Sequence, residues 1–132
     1  MAANFSYRDL RIWQEAVDLA LAIYRATAGF PKHELYGLTS QMRRAAVSVP
    51  SNIAEGKGHS SDGDFGRFLF HARGSLLELQ TQIVIAGGLA YLTEEQVANL
   101  TGVTDSLGRG LNGLIKSVRG KRDLSRATAN SE

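Results

Sequence analysis

The chain has 132 residues and a mass of 14.3 kDa, the size of one domain with a single core. Its 15 Lys and Arg against 13 Asp and Glu give a formal charge of +2, and hydrophobic residues make up 43%, a composition typical of a folded globular domain rather than a disordered chain. Because the sequence contains no Cys, it excludes disulfides, thiolate-bound zinc, iron–sulfur clusters and a cysteine nucleophile.

The first predicted helix extends from Ser6 to about Thr27. Ser6 is a favourable N-cap, and Asp9 lies in the first turn, where the helix dipole favours a negative charge. Gly29 followed by Phe30 and a proline predicts the end of the helix. Its apolar residues recur at steps of three and four. They form two adjacent rows: Leu10, Trp13, Val17, Ala20 and Tyr24, and then Ile12, Ala16, Leu19 and Ile23.

The second predicted helix extends from about Glu34 to Gly56. Pro50 lies inside it, and because proline lacks an N–H and crowds the carbonyl four residues earlier, we expect a kink near residues 46–50. The polar residues 56–61 that follow predict a flexible loop. The apolar face of this helix consists of Leu38, Met42, Ala45, Val49 and Ile53.

The third predicted helix begins near Ser61 or Asp62 and ends at Gly87 and Gly88. Its apolar residues keep a helical rhythm for about six turns. They are Phe65, Phe68, Leu69, Ala72, Leu76, Leu79, Ile83 and Ala86.

The fourth predicted helix opens with Thr93 as N-cap and Gln96 three residues later, which is the capping-box pattern. From Gly120 onward the apolar periodicity disappears. The sequence therefore predicts one bundle domain over residues 1–119 and a basic, disordered tail over residues 120–132. Each glycine inside this helix costs ~1 kcal/mol relative to Ala, so either the helix is weak there or another helix approaches closely. These glycines are Gly102, Gly108, Gly110 and Gly113.

Four amphipathic segments joined by short connections predict an all-α, up-down-up-down four-helix bundle with its second helix kinked at Pro50. No apolar run approaches the ~20 residues that span a membrane. The N-terminal residues lack the basic-then-apolar layout of a signal peptide. We therefore expect a cytoplasmic protein that makes no membrane contact.

A search for catalytic and metal-binding patterns favours a protein that is not an enzyme and that uses no cofactor. His33, His59 and His71 are far apart, and none forms the Glu-x-x-His pair of di-iron bundles. His59 lies near acidic residues, so a weak divalent-metal site there competes with a solvated polar loop, which is the favoured interpretation. Residues 56–58 lack the spacing of a phosphate-binding loop.

Several polar residues interrupt the apolar pattern of the second and third helices. Buried polar groups need hydrogen-bond partners, and unpaired buried charges are costly. We therefore expect a structural network in which Glu55 and Glu78 meet Arg43 or Arg44 and fix the helix register or a subunit contact. Contact with a ligand or nucleic acid, and a general-base role for Glu55 or Glu78, are the less favoured alternatives. The network consists of Gln41, Ser48, Asn52, Glu55 and Glu78.

The basic residues are unevenly distributed along the chain. Residues 102–132 carry six Lys or Arg against three Asp or Glu. A charged tail of this kind is more often a solubilising segment than a binding arm, but repetition of basic residues in an oligomer favours binding to phosphate groups. The candidate nucleic-acid-binding residues are Arg43, Arg44, Lys116, Arg119, Lys121 and Arg122.

Two sequence runs in the middle of the chain form a specific pattern. The first is Ser-Asn-Ile-Ala-Glu-Gly at residues 51–56, and the second is Ala-x-Gly-Ser-x-x-Glu at residues 72–78. Further matching runs lie at residues 9–16, 30–38, 41–49 and 65–69. On these motifs the segment from Tyr7 to about Leu92 resembles the four-helix bundle proteins of the 23S rRNA intervening-sequence family.

The resemblance implies a ring-like homopentamer without catalytic residues. A related branch, the accessory variability determinant of diversity-generating retroelements, is a basic pentameric barrel that binds nucleic acid and works with a reverse transcriptase. We therefore expect this chain, RNA or DNA, and a protein such as a reverse transcriptase as partners.

The resulting hypothesis is a non-enzymatic, homo-oligomeric bundle that acts as a nucleic-acid-binding or ribonucleoprotein accessory protein. The alternative is a protein–protein scaffold ring that makes no contact with nucleic acid. In either case we expect small residues to let the second and third helices approach closely, and Trp13 to anchor the first helix in the core or in a subunit groove. The small residues are Ala45, Ala46, Ala72 and Gly74.

Overall fold

The structure is a computed structural model that describes residues 6–59 and 61–131, except for the side chains of residues 122, 125 and 129–131. Over this part of the chain it contains four α-helices and no strand. The predicted all-α class is therefore confirmed. The helices are α1 (Arg11–Thr27), α2 (Leu38–Gly58), α3 (Asp62–Gly88) and α4 (Glu94–Ser131).

Each helix runs antiparallel to the next, as the up-down-up-down prediction requires. The end of α2 packs against the start of α3, where Gly56 adjoins Phe68. Further along α3, Arg73 contacts Asn112 of α4 and Gln80 contacts residues 104 and 105. Since α1 also packs against both α2 and α4, the four helices close into a bundle.

One apolar core lies between the four helices and contains residues from each of them. Trp13 is partly buried against this core and makes an edge-on contact with Tyr7, with ring centres 5.2 Å apart. The fully buried large apolar side chains are Leu19, Ile23, Met42, Ile53, Leu69, Leu76, Leu79, Ile83, Leu107 and Leu111. None of the described helices carries an apolar stretch of the length that a bilayer requires.

The first two helices begin later than the sequence predicts. Ser6 and Asp9 form the expected capping box, but it closes a 3-10 turn over Tyr7–Asp9, and Leu10 is extended, so α1 starts at Arg11. The carboxylate of Glu34 accepts a hydrogen bond from the backbone N–H of Leu38 at 3.1 Å. Glu34 therefore precedes α2, in a second 3-10 turn over Lys32–Glu34.

The second helix continues through Pro50, which is buried, and ends at Gly58 rather than at Gly56. The helical assignment is unbroken on both sides of the proline, and the kink expected there stays a prediction. Gly56 is buried inside the last turns of α2 and does not terminate the helix.

The third and fourth helices start where the sequence predicts. The Ser61 hydroxyl accepts a hydrogen bond from the N–H of Asp64, and α3 ends at Gly88. At the start of α4, Thr93 and Gln96 cap each other reciprocally at 2.8 and 3.1 Å, which confirms the capping box.

In the described residues α4 continues to Ser131, past residue 120, where the sequence predicts that a disordered tail begins. Val118 is the last buried apolar residue among the side chains that the structure describes. The described side chains beyond it are exposed, which explains why the apolar pattern stops. Backbone hydrogen bonds within the helix do not require an apolar face, so the helix extends past the bundle. The domain boundary at residue 119 stays a prediction.

The close approach of α2 and α3 depends on Gly56. A Cβ at this position would lie 2.7 Å from Phe68 Cβ and 3.1 Å from Phe65 Cδ1. Ala45, Ala46 and Ala72 are buried, and Ala45 lines the groove between these two helices. Gly74 is different, because its missing Cβ would point into open space.

The glycines of α4 divide between contact positions and open positions. A Cβ on Gly108 would lie 3.6 Å from Leu76 Cδ2, and one on Gly110 would lie 3.3 Å from Ile12 Cδ1. A Cβ on Gly102 or Gly113 would have no neighbour within 4 Å. Among these four, close approach of a neighbouring helix therefore accounts for Gly110 only, because a methyl group on Gly108 would make an ordinary van der Waals contact.

Two interhelical connections meet at one end of the bundle through Glu34 and Tyr91. The Tyr91 hydroxyl donates to Glu34 Oε2 at 2.9 Å and lies 3.4 Å from His33 Nε2. Hydrogen bonds from the Leu38 N–H and the Tyr91 hydroxyl hold the pKa of the Glu34 carboxyl below its ordinary value of 4.5. The hydrogen bond to Glu34 in turn raises the pKa of Tyr91 above 10.0.

Gly56→Ala should lower the free energy of unfolding by about 1–3 kcal/mol, because the added methyl group overpacks the α2–α3 contact. Gly74→Ala is the matched control and should raise that free energy by up to ~1 kcal/mol through helix propensity alone. Urea unfolding followed by circular dichroism measures both values. Equal effects of the two substitutions would contradict the close approach at Gly56.

Glu34→Gln should reduce the loss of stability in acid. Because the pKa of Glu34 is lowered on folding, its stabilising contribution is present above 4.5 and is lost as the pH falls through the folded-state pKa. The free energy of unfolding of the Gln variant should therefore depend less on pH below this value. Glu55→Gln, which changes an exposed carboxylate of α2, is the control. If the free energy of unfolding changed with pH equally in Glu34→Gln and in the unmodified chain, the lowered pKa of Glu34 in the folded state would be contradicted.

Candidate nucleic-acid interface

Two serines join α2 to α3 through a short hydrogen bond. Ser48 Oγ and Ser75 Oγ lie 2.8 Å apart, and both residues are partly buried. Asn52 Nδ2 donates to the carbonyl oxygen of Ser48 at 2.8 Å and to its hydroxyl oxygen at 3.0 Å. Ser48 and Asn52 of the predicted network therefore share one hydrogen-bonded group, and the structure adds Ser75 to it.

The other three residues of the predicted network lie outside this group. Gln41, Glu55 and Glu78 are exposed, and Glu78 accepts a long hydrogen bond of 3.4 Å from a glutamine one turn later. Within the described residues no ion pair joins these carboxylates to Arg43 or Arg44, so the contact that the sequence predicts does not form there. Exposed carboxylates are hydrated and need no protein partner.

Arg43 instead connects α2 to α1. Its Nε donates to Thr27 Oγ1 at 2.9 Å, and its Nη2 donates to the carbonyl oxygen of Tyr24 at 3.4 Å. The guanidinium carbon also lies 4.6 Å from the centre of the Tyr24 ring, a distance at which the cation and the ring attract each other. These contacts turn the Arg43 side chain toward α1.

Arg44 is exposed and lines a polar groove of about 370 Å³ between α2 and α3. Glu78 lines the same groove, so the groove contains one basic and one acidic side chain and has no excess of positive charge. Its other lining residues are Gln41, Ala45, Ser48 and Ser75.

The remaining candidate basic residues lie on α4, beside the start of α3, where Val118 adjoins Gly66. Arg43 and Arg44 belong to the first half of α2, so the structure does not bring them together with the α4 group. The side chain of Arg122 lies outside the described residues. Three of these basic candidates on α4 are exposed: Lys116, Arg119 and Lys121.

Arginines from α3 and α4 surround an exposed aromatic ring. Phe70 is 39% exposed, and the guanidinium carbons of Arg73 and Arg119 lie 4.7 and 5.3 Å from the ring centre. Arg73 Nη1 donates to Asn112 Oδ1 at 3.1 Å, which holds Arg73 at the boundary between the two helices. We refer to Arg67, Phe70, Arg73 and Arg119 as the arginine–phenylalanine cluster.

A cavity of about 330 Å³ opens beside this cluster, between the first turns of α3 and the last buried turns of α4. Gly63 and Gly66 line it without side chains, and Ile115 and Val118 provide apolar surface. Apolar walls combined with an aromatic ring and guanidinium groups suit a planar ligand that carries negative charge. The remaining lining residues are Asp62, Arg67, Phe70, His71 and Arg119.

The acidic residues near the cavity neutralise only part of this positive charge. Asp62 lines the cavity, and Asp64 Oδ1 lies 3.5 Å from Arg67 Nη2. Among the residues that the structure describes, Arg73 and Arg119 form no ion pair. Two of the three guanidinium groups are therefore not neutralised by a carboxylate.

A second aromatic stack extends the same region toward the end of α2. The rings of His59 and Phe68 stack with centres 5.0 Å apart and planes inclined by 25°. The guanidinium carbon of Arg67 lies 4.5 Å from the centre of the Phe68 ring. Arg67 thus connects this stack to the cavity.

Sequence analysis does not select Arg67, Phe70 and Arg73 as site residues. Their spacing of three nevertheless places them on neighbouring turns of one helix face, and Phe70 falls outside the buried stripe of α3. An aromatic residue off that stripe, with an arginine three residues away on each side, is a signal present in the sequence. Arg119 joins the cluster through the packing of α4, which no local spacing reveals.

The outer side of α3 carries an exposed apolar stripe. Leu77, Val84 and Ile85 are 57%, 65% and 47% exposed; Thr81 lies between them, and Gly88 follows them at helical spacing. A helix face that borders water is ordinarily polar, and contiguous exposed apolar surface is typical of interaction sites. We refer to these five residues as the outer stripe.

Within the described part of the chain no group of three or more His, Asp or Glu is arranged to hold a metal ion. His59 Nδ1 lies 3.9 Å from Asp64 Oδ2, so this contact is a pair without a third ligand in those residues.

Comparison with known proteins identifies a family and a fold. A family model described as 23S rRNA-intervening sequence protein matches residues 8–113. A crystal structure of a protein of unknown function from the S23 ribosomal protein family of Bacteroides thetaiotaomicron superposes with a TM-score of 0.72. It has 20% sequence identity, and the match covers 80% of this chain and 98% of that one, so it supports the fold alone. No curated protein matches the chain.

Proposed function

We propose that this chain, which belongs to the family of 23S rRNA-intervening sequence proteins, is a non-enzymatic, self-associating accessory protein that binds nucleic acid. The observation that carries the proposal is the arginine–phenylalanine cluster beside the cavity at the α3–α4 boundary. Neither the family nor the structural relative is described by an activity, so a binding role is the simplest use of the cluster.

The chemistry of the cluster fits nucleic acid in two ways. Guanidinium groups bind phosphates through charge-assisted hydrogen bonds, and Arg73 and Arg119 have no carboxylate partner among the described residues. The exposed Phe70 ring adds a surface on which a base can lie. The exposed Lys116 and Lys121 extend the positive charge along α4.

Self-association multiplies this charge. The outer stripe of α3 provides apolar surface for a second copy, and we propose that the complete assembly is the homopentamer that the family resemblance implies. In a ring each protomer uses the same contact, so the clusters repeat at regular intervals. A protein partner such as a reverse transcriptase belongs to the same proposal.

Arg73→Gln and Arg119→Gln should each weaken nucleic-acid binding several-fold, because each removes a cation that faces the ligand. Fluorescence anisotropy of a labelled RNA and a labelled DNA at about 50 and 200 mM salt measures the affinity, which should fall steeply with salt. Arg25→Gln, which removes an exposed cation of α1, is the control and should have little effect. Absence of binding at the lower salt concentration would favour the scaffold ring without nucleic-acid contact.

Val84→Lys should reduce the mass of the assembly, because it places a charge in the centre of the outer stripe. Light scattering should give five times the 14.3 kDa of one chain for the unmodified protein and a smaller multiple for the variant. Ala28→Lys, at the exposed end of α1, adds the same charge and should preserve the mass. A Val84→Lys variant of unchanged mass would exclude the outer stripe as the subunit contact.

A further inference from the structure

We propose that the arginine–phenylalanine cluster selects single-stranded nucleic acid by stacking an unpaired base. This inference rests on the proposed function and specifies its substrate class. It concerns Phe70, its two guanidinium neighbours and the adjoining cavity.

The first argument is the geometry of the ring. Arg73 and Arg119 lie within 5.3 Å of the Phe70 ring centre, where planar guanidinium groups and aromatic rings attract each other. A nucleobase is planar too, and it stacks on aromatic rings and on guanidinium planes. Phe70 is exposed enough to accept it, and a base can also replace one guanidinium at the ring while that guanidinium moves to the adjacent phosphate.

The second argument is the space beside the ring. The cavity of about 330 Å³ lies at the lower end of the ~300–1,000 Å³ range of small-molecule sites. Gly63 and Gly66 line it on the α3 side and contribute no side chain to its wall. Ile115 and Val118 offer apolar contact to a base. Arg67 and Arg119 line the same cavity, where they can bind the phosphate of that nucleotide.

The third argument concerns the difference between single strands and duplexes as ligands. In a duplex both faces of each base are covered by neighbouring bases, so a duplex offers the cluster only phosphates and groove edges. An unpaired base exposes a π-face, and its stacking adds to the phosphate contacts. The cluster should therefore bind single strands more tightly than duplexes of equal length.

The decisive experiment compares three labelled DNA ligands of about 20 nucleotides: an unstructured thymidine strand, a strand of the same length with abasic sugars, and a duplex. The thymidine strand should bind roughly tenfold more tightly than the abasic strand, which has the same phosphates and no bases. It should also bind more tightly than the duplex. A uridine RNA strand in parallel distinguishes a preference for RNA from one for DNA.

Phe70→Leu should abolish the difference between the thymidine and abasic strands, because it lowers the affinity for the thymidine strand more than the affinity for the abasic strand. Phe70→Tyr retains the ring and should preserve the difference. Arg73→Gln should weaken the binding of both strands. Thermal unfolding of each variant, followed by circular dichroism, verifies that the bundle is intact.

A Phe70→Trp substitution in a Trp13→Phe background gives a second measurement at the same position. Stacking of a base should quench the tryptophan fluorescence when the thymidine strand binds, and the abasic strand should not. If both strands bind equally and quench equally, the stacking inference is wrong and the proposed function stands. If no strand and no duplex binds, both are wrong.

Discussion

The close contact of α2 and α3 at Gly56 determines the geometry on which the rest of the bundle depends. A backbone without a side chain at this position lets Phe65 and Phe68 pack directly against α2. The Ser48–Ser75 hydrogen bond joins the same two helices further along. On another face, α3 packs against α4 through Arg73 and Gln80 and presents Phe70. Gly56 thus permits the close contact of α2 with α3.

The sequence predicts the fold well because each helix carries its own signals. These signals are the capping residues Ser61 and Thr93 and the apolar rows, and each acts over a few residues. Tertiary packing therefore does not alter the helices that they predict. The predicted helix starts fail where a side chain has a use that competes with the helix. Glu34 caps α2 from outside, and Ser6 caps a separate turn.

The residues of the candidate site are harder to predict from the sequence, because their proximity depends on tertiary packing. Arg43 and Arg44 are adjacent in sequence, yet one turns toward α1 and the other lines a groove with Glu78. Arg119 lies 49 positions after Phe70 in the chain and contacts it across the α3–α4 boundary. A charge count along the sequence identifies Arg119 as part of a basic segment. The count cannot indicate which aromatic ring Arg119 contacts or which basic residues already have a carboxylate partner.

The extension of α4 beyond Val118 gives the molecule a projecting arm. At 1.5 Å per residue, the thirteen residues that follow reach about 20 Å past the last turn in contact with the core. Arg119 stands at the base of this arm, and Lys121 and the exposed Leu124 lie further along it. A polymer bound at the cavity, as we propose, would lie beside the start of this arm. In the proposed ring of identical protomers the arms would be related by the rotation of the ring, so each arm would make the same angle with the ring axis.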